Sequence, residues 1–386
     1  MNVTEPRNEP PDRCLPEPLR IAHVVFSFDY GGLERRILRL IDGFTPLGAQ
    51  FLIVSLRHSD GRFLPAHHQV KHIVLNARPG LDLTAVFQLT RLLKQHSIDI
   101  VHSHNWVSML EGIVAGRLAR TPVVVHGEHG ASRFAPDQLS WKRVLAQRVL
   151  ARLAHAIIPV NENIRDRIVD VWKLPAERCT VIRNGVDTEK FAPKPRPRKK
   201  AFVVGSVSRL ERIKNFPCLI KAVHALNQYP KGRQYELIIV GEGSERNSLE
   251  KLIRDLGAAS YVQLPGGSDS PEEWYSQFDA YVNCSYSEGM SNTVLEAMAC
   301  GLPVVVSDVA GHREWIPETS TSLFFTSDSV VELCDALSTI SLNETEQQAG
   351  AWNNRHLVED KFSNVSFLKF YRDLYCRLYF EAFPGN

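Results

Sequence analysis

From Ile21 onward, short β-branched runs alternate with stretches whose apolar residues recur at helical spacing, the pattern of parallel α/β sheets. The first strand is IAHVVFSF. Gly31 and Gly32 follow, and then Leu33, Ile37, Leu40, Ile41 and Phe44 mark one face of a helix. QFLIVSL, KHIVLN, DIVHSH, TPVVVHG and HAIIPV read as further strands, and the unit ends near a strand-like CTVIRNGV. APKPRPRKK (192–200) then interrupts with prolines and positive charge. It reads as a stiff interdomain linker, with a basic surface loop as the alternative. The rhythm restarts with AFVVGSVSRL, YELIIVGEG, YVQLPG, AYVNCS and LPVVVSD, each pair separated by a helical or helix-bearing segment. The expectation is α/β: two doubly wound, Rossmann-like domains facing a central cleft, with ligands beyond the carboxyl ends of the strands. In FLKFYRDLYCRLYFEAF, Phe367, Tyr371, Leu374, Tyr375 and Leu378 form an aromatic-rich stripe. It predicts a closing helix packed back on the first domain, a membrane-surface helix being the alternative.

The boundaries expected are a disordered lead-in at 1–19, a first domain at 20–191, the linker at 192–200, a second domain at 201–362 and the closing helix at 363–386. A chain of 386 residues is long for one core, which agrees with two domains. A formal charge of +2 gives no electrostatic footprint for nucleic acid. No apolar run approaches the ~20 residues of a membrane span. The polar, proline-rich start resembles neither a signal nor a transit peptide. Seven scattered cysteines without a CxxC pair suggest reduced thiols and a cytoplasmic location, with the inner face of the membrane as an alternative.

The chemistry concentrates in EGMSNTVLEAMACGLPVVVSD, residues 288–308. Ser291 or Asn292 is suited to cap a helix that Gly301 and Pro303 end. Glu288 therefore lies in a loop feeding a helix N-terminus, and Glu296 lies on the first turns. Such an end offers unpaired N–H groups to a phosphate, whereas carboxylates beside it repel phosphate and suit sugar hydroxyls.

Glu288 and Glu296 enclosing seven residues, followed by AMACGLPVV, resemble the EX7E signature of the retaining GT-B enzymes of glycosyltransferase family 4. GGLE (31–34), IPVNENIRDRIVD, VIRNGVDTEKF and VGSVSRLERIKNF match further family segments in the right order, so the resemblance runs from about residue 20 to about residue 380. It implies a nucleotide-diphosphate sugar on the C-terminal domain and an acceptor on the N-terminal one. Arg209 and Lys214 would neutralise the diphosphate. Glu288 would contact the donor sugar, with Gly289, Met290, Ser291, Asn292 and Thr293 close to sugar and phosphates, and Glu296 would accept from the ribose. Gly31 and Gly32 would let backbone approach the diphosphate, and Gly241 and Pro265 would lie near the base or pyrophosphate. The family also places a histidine against the donor sugar; in VVVHGEHG this is His129, with His126 the second choice.

The chain has no Asp-x-Asp pair, in keeping with metal-free chemistry in which the leaving diphosphate helps deprotonate the acceptor. The resemblance implies no cofactor beyond a UDP- or GDP-linked sugar, and a glycan or lipid-linked acceptor. It implies a hexosyltransferase of surface polysaccharide or glycolipid synthesis. The alternatives are a nucleotide-sugar epimerase, a phosphorylase or an inactive nucleotide-sugar-binding protein. His102 and His104 suggest a metal at i, i+2, but no third ligand is identifiable in the sequence, so none is expected. Gly241-x-Gly243 lacks the third glycine of a dinucleotide fingerprint, Arg246 standing in its place. WKRVLAQRVLARLAHA (141–156) is a basic amphipathic helix, either a solvated face or a contact with an anionic membrane.

Overall fold

The computed structural model describes residues 15–383 except 30, 58, 60–69, 79, 81, 131–139, 196–199, 230–231, 320 and 343, and except the side chains of 344–349. Most of the expected lead-in and the middle of the expected linker lie outside the described residues. The chain divides into two compact units: residues up to Arg183 together with those from Val365, and Asn184–Asn364.

The first unit holds six strands: β1 (Arg20–Val25), β2 (Gln50–Ser55), β3 (Val70–Val74), β4 (Ile100–His104), β5 (Val123–Glu128) and β6 (Ala156–Pro159). All pair in parallel, in the order β3-β2-β1-β4-β5-β6. The order reverses between β1 and β4, the doubly wound arrangement. The flanking helices are α1 (Gly32–Phe44), α2 (Leu83–Gln95), α3 (Trp106–Ala119), α4 (Trp141–Leu153) and α5 (Glu162–Trp172). Their starts follow local chemistry, since Asp82 accepts from Thr84 N at 3.0 Å and Asn161 accepts from Ile164 N at 2.8 Å. The strand-like CTVIRNGV forms an isolated bridge, Ile157–Cys179, and runs beside β6, Thr180 N donating to Ile157 O at 3.0 Å and Ile182 N to Pro159 O at 3.1 Å.

The second unit repeats the plan with β7 (Phe202–Val207), β8 (Tyr235–Val240), β9 (Val262–Gly266), β10 (Ala280–Asn283), β11 (Val304–Ser307) and β12 (Ser322–Phe325), ordered β12-β11-β10-β7-β8-β9. Its helices are α6 (Phe216–Asn227), α7 (Arg246–Asp255), α8 (Pro271–Tyr275), α9 (Asn292–Ala299), α10 (Ala310–Arg313), α11 (Val330–Leu342) and α12 (Glu344–Lys361). The boundary at Arg183/Asn184 falls ahead of the proline-rich run because 184–191 is tied to this unit. Asn184 Nδ2 donates to Met290 O at 2.8 Å, and Arg355 donates to Phe191 O and Thr188 O at 3.2 Å.

The closing helix α13 (Asn364–Ala382) returns to the first unit. Phe367, Tyr371, Leu374, Tyr375 and Leu378 join the core formed by Ile21, Val25, Ile37, Phe44 and Ile100. Burying five such side chains contributes on the order of 10 kcal/mol. Arg36 of α1 is buried against them, donating to Tyr371 Oη at 2.8 Å and Ile182 O at 2.8 Å. Cys376 of α13 is disulfide-bonded, so the expectation of reduced thiols fails there. It holds for Cys179, Cys218, Cys284, Cys300 and Cys334, whose sulfurs are in no disulfide.

Candidate functional site

In the second unit, strand order reverses between β7 and β10, the position at which open α/β sheets form a crevice between the loops leaving their carboxyl ends. Lys214 follows β7 and Glu288 follows β10. Their side chains meet there, Lys214 Nζ lying 2.6 Å from Glu288 Oε1. Ser285 Oγ donates to the same oxygen at 2.7 Å and Asn283 Nδ2 at 3.2 Å. Burial works against the charged form of Glu288. The Lys214 ammonium, with His312 and the Ser285 hydroxyl, outweighs it and holds the carboxyl down to about 2. Glu288 is thus a fixed anion, able only to accept hydrogen bonds.

The loop that carries Glu288 is held on several sides. Ser291 precedes α9 as its N-cap residue without a side-chain cap, its hydroxyl instead being 3.2 Å from Asn283 Nδ2 and 3.2 Å from Thr293 Oγ1. Tyr281 Oη donates to Thr293 Oγ1 at 2.7 Å. Met290 is buried, and Asn184 holds its carbonyl. Below the loop, a Cβ placed on Gly311 would lie 2.1 Å from Glu288 O and 2.6 Å from Gly289 O. Gly311→Ala must therefore move the backbone bearing Glu288. We expect kcat/KM to fall about 10²-fold with a stability loss of about 1–3 kcal/mol. Kinetics and urea unfolding check this, and wild-type kinetics would refute the close fit.

Glu296 sits differently. It is fully buried on α9 and accepts from Tyr275 Oη at 2.8 Å. Arg209 is more than half exposed and paired with Glu211 at 2.8 Å. Gly241, at φ +157°, lies against the Arg209 loop, where a Cβ would come 1.9 Å from Ser208 O. Its N–H donates to Gly266 O at 2.8 Å, which brings the Pro265–Gly266 turn alongside. Gly289, Asn292 and Thr293 complete the set beside Glu288. Sequence reasoning missed His312, Asn283 and Ser285. His312 is buried, its Nδ1 donates to Ser307 O at 2.9 Å, and burial lowers its pKa despite the Glu288 charge. No spacing signal marks it, because it reaches Glu288 from the next strand's loop.

The first unit carries Gly31, Gly32 and His129. Gly31 caps α1, and Gly32 begins it. His129 follows β5 and belongs to a cluster. His23 of β1 and His102 of β4 are register partners, on the sheet face that α1 and α13 cover. His104 lies two residues further on the same face. His23 Nδ1 and His104 Nε2 are 2.9 Å apart, as are His104 Nδ1 and His129 Nε2, and His102 Nδ1 and Tyr375 Oη. Gly127 makes room, since a Cβ there would lie 2.5 Å from His129 Nε2. Burial pushes His23 down to about 3, and holds His102, His104 and His129 well below the usual imidazole value. His126 turns elsewhere, to Ser103 Oγ at 2.8 Å.

His23 corrects the expectation that His102 and His104 lack a third partner, since the three present ligand atoms within 4.8 Å of one another. That group contains no anion, however, and the Arg36 guanidinium is close enough to depress His102 further. A dication buried there would face an uncompensated positive charge. The 2.9 Å contacts engage both nitrogens of His104, whereas His23 Nε2, His102 Nε2 and His129 Nδ1 are buried with no hydrogen-bond partner among the described residues.

Comparison with known proteins adds the following. The family described as Glycosyltransferase Family 4 matches residues 30–190, and that described as Glycosyl transferases group 1 matches 187–356. A protein from Escherichia coli named UDP-Gal:alpha-D-GlcNAc-diphosphoundecaprenol alpha-1,3-galactosyltransferase is 28% identical over 76% of this chain and 79% of that protein. The putative glycosyltransferase EpsF of Bacillus subtilis (strain 168) is 26% identical over 75% and 79%. Among solved structures, HepE from Anabaena in complex with UDP and glucose has a TM-score of 0.78 at 20% identity, covering 92% of this chain and 99% of that one. A glycosyltransferase from Rickettsia africae ESF-5 has a TM-score of 0.78 at 17% identity, covering 94% and 98%.

Proposed function

The chain belongs to the GT-B glycosyltransferases of the family 4 type, and from that membership we propose that it moves a hexose to a glycan or lipid-linked acceptor with retention of anomeric configuration. It is a transferase that uses a nucleotide sugar. The observation that carries the finer reading is the Lys214–Glu288 pair at the reversal of strand order. A leaving nucleoside diphosphate departs with about two negative charges, and a fixed ammonium there stabilises charge as it develops. Arg209, on the neighbouring loop, adds a second cation. Glu288, anionic and fixed by Lys214, Ser285 and Asn283, suits the hydroxyls of the transferred sugar, while Gly289 to Thr293 supply backbone and hydroxyl groups beside it. Glu296 is assigned to the ribose, and Gly241 and Pro265 to the base side. In the first unit the assignment rests on Gly31, Gly32 and His129.

In the proposed step the bond from the anomeric carbon to the diphosphate breaks while the acceptor oxygen bonds to that carbon on the same face. The acceptor proton passes to a diphosphate oxygen, which needs no metal and no separate base. The name of one relative supports a lipid-linked acceptor. That relative acts from UDP-Gal on a diphosphoundecaprenol-linked sugar, and HepE was solved with UDP-glucose.

Two measurements test this. In a thermal-shift screen of UDP-, GDP- and ADP-sugars, one series should raise the melting temperature, a ligand at 100 times its Kd adding about 2.7 kcal/mol of stability. With that donor and an acceptor, NMR of the product should show the donor's own anomeric configuration. Inversion, or turnover of the sugar nucleotide without any acceptor, would overturn the proposal.

A further inference from the structure

Helix α4 is apolar on two faces. Gln147, Leu150 and Ala151 are buried on one. On the other, Trp141, Leu145, Val149 and Leu153 are 70%, 51%, 52% and 38% exposed. They recur every four residues, so they form one continuous stripe spanning about 120° of the helix circumference and about 18 Å of its length. A helix in water normally turns polar residues outward, and an ordered apolar line is unlike the scattered single hydrophobes of an ordinary surface.

The charges on the helix itself are of one sign. WKRVLAQRVLARL contains Lys142, Arg143, Arg148 and Arg152 and no acidic residue. Lys142 is exposed near one end, its ammonium 5.9 Å from the centre of the Trp141 ring. Near the other end Arg152 is exposed, donating to Arg148 O at 2.9 Å and Lys173 O at 3.1 Å. Arg178 donates to Arg152 O, so a second guanidinium lies at this end, while Arg148 Nε donates to Val171 O at 2.9 Å. The cations therefore bracket the apolar line at both ends.

We propose that α4 lies flat on an anionic phospholipid surface, with Trp141, Leu145, Val149 and Leu153 entering the interface and the exposed Lys142 and Arg152 meeting lipid phosphates. An apolar stripe confined to one side of the helix, with cations at both ends, matches a uniformly negative surface, and a tryptophan at its edge suits the headgroup level. A second copy of this chain fits poorly. In a two-fold pair the same patch meets itself, and the four cations of each helix would oppose one another. The proposal goes beyond the transferase reading and would place the enzyme where a lipid-linked acceptor resides.

The full chain is sedimented with vesicles of phosphatidylcholine alone and of phosphatidylcholine mixed with phosphatidylglycerol, without donor or acceptor, so failure here leaves the transferase reading untouched. Binding is expected to the mixed vesicles only, and to weaken when salt rises from about 0.1 M to about 0.5 M. Leu145→Glu/Val149→Glu should weaken it at least tenfold while the donor-induced melting shift stays as in the wild type, showing that the variant folds. Equal binding to both vesicle types, no binding to either, or unchanged binding by the variant would each overturn the proposal. So would a dimer in sedimentation velocity that the same substitutions dissociate.

Discussion

Lys214→Ala is expected to lower kcat/KM by about 10² to 10³. The ammonium sits 2.6 Å from Glu288 and is largely buried, so solvent screens its charge poorly. Its removal takes away the cation proposed to face the leaving diphosphate and strips Glu288 of its main counter-charge. Glu288 is held near 2 chiefly against the cost of burial, and without Lys214 its carboxyl must rise or shift. A stability loss of roughly 3 kcal/mol should accompany the kinetic one, as is usual when one partner of a buried pair is deleted. Arg209→Ala should cost less, about tenfold. Its side chain is more than half exposed and already engaged with Glu211 at 2.8 Å. Steady-state kinetics on both variants, with unfolding curves for each, separate these effects. Equal and near-normal kinetics in both would remove the diphosphate from this crevice.

Acid should unfold the first unit unusually early. His23 is held near 3, and His102, His104 and His129 well below the imidazole value, because burial excludes their charged forms. The unfolded chain takes up protons around pH 6.5 and the folded one does not. The stability is therefore fully present above about pH 6.5 and is lost as pH falls below it. Each excluded proton contributes a slope of about 1.4 kcal/mol per pH unit, or about 2 kcal/mol between pH 6.5 and pH 5. Urea midpoints between pH 8 and pH 5 should fall accordingly, and His23→Gln should flatten the fall by about one proton's slope. The same steepness in the variant would mean that His23 is charged in the folded state.

Much of the architecture could be read from periodicity. Both sheets, the return of α13 and the loop-helix start at Glu288 follow from local patterns of apolar residues and capping chemistry. What escaped was contact between strands distant in sequence. Lys214 and Glu288 are 74 positions apart and meet only because the crossovers set β7 beside β10. His23 joins His102 for the same reason, across β1 and β4. Asn184 holds Met290 over 106 positions, which moved the unit boundary ahead of the proline-rich run. CTVIRNGV has the β-branched content of a strand, yet it bonds β6 only through Thr180 and Ile182 before its end bridges Ser363 in the second unit.

The central claim is that the second unit holds a nucleoside diphosphate through Lys214. Calorimetric titration of UDP and GDP into the wild type and Lys214→Ala tests it, with uridine and guanosine as controls. One diphosphate should bind the wild type and lose at least about tenfold in affinity in the variant, near 1.4 kcal/mol, while its nucleoside binds both alike. Equal affinity of that diphosphate for the two proteins, or no binding of either to the wild type, would contradict the account.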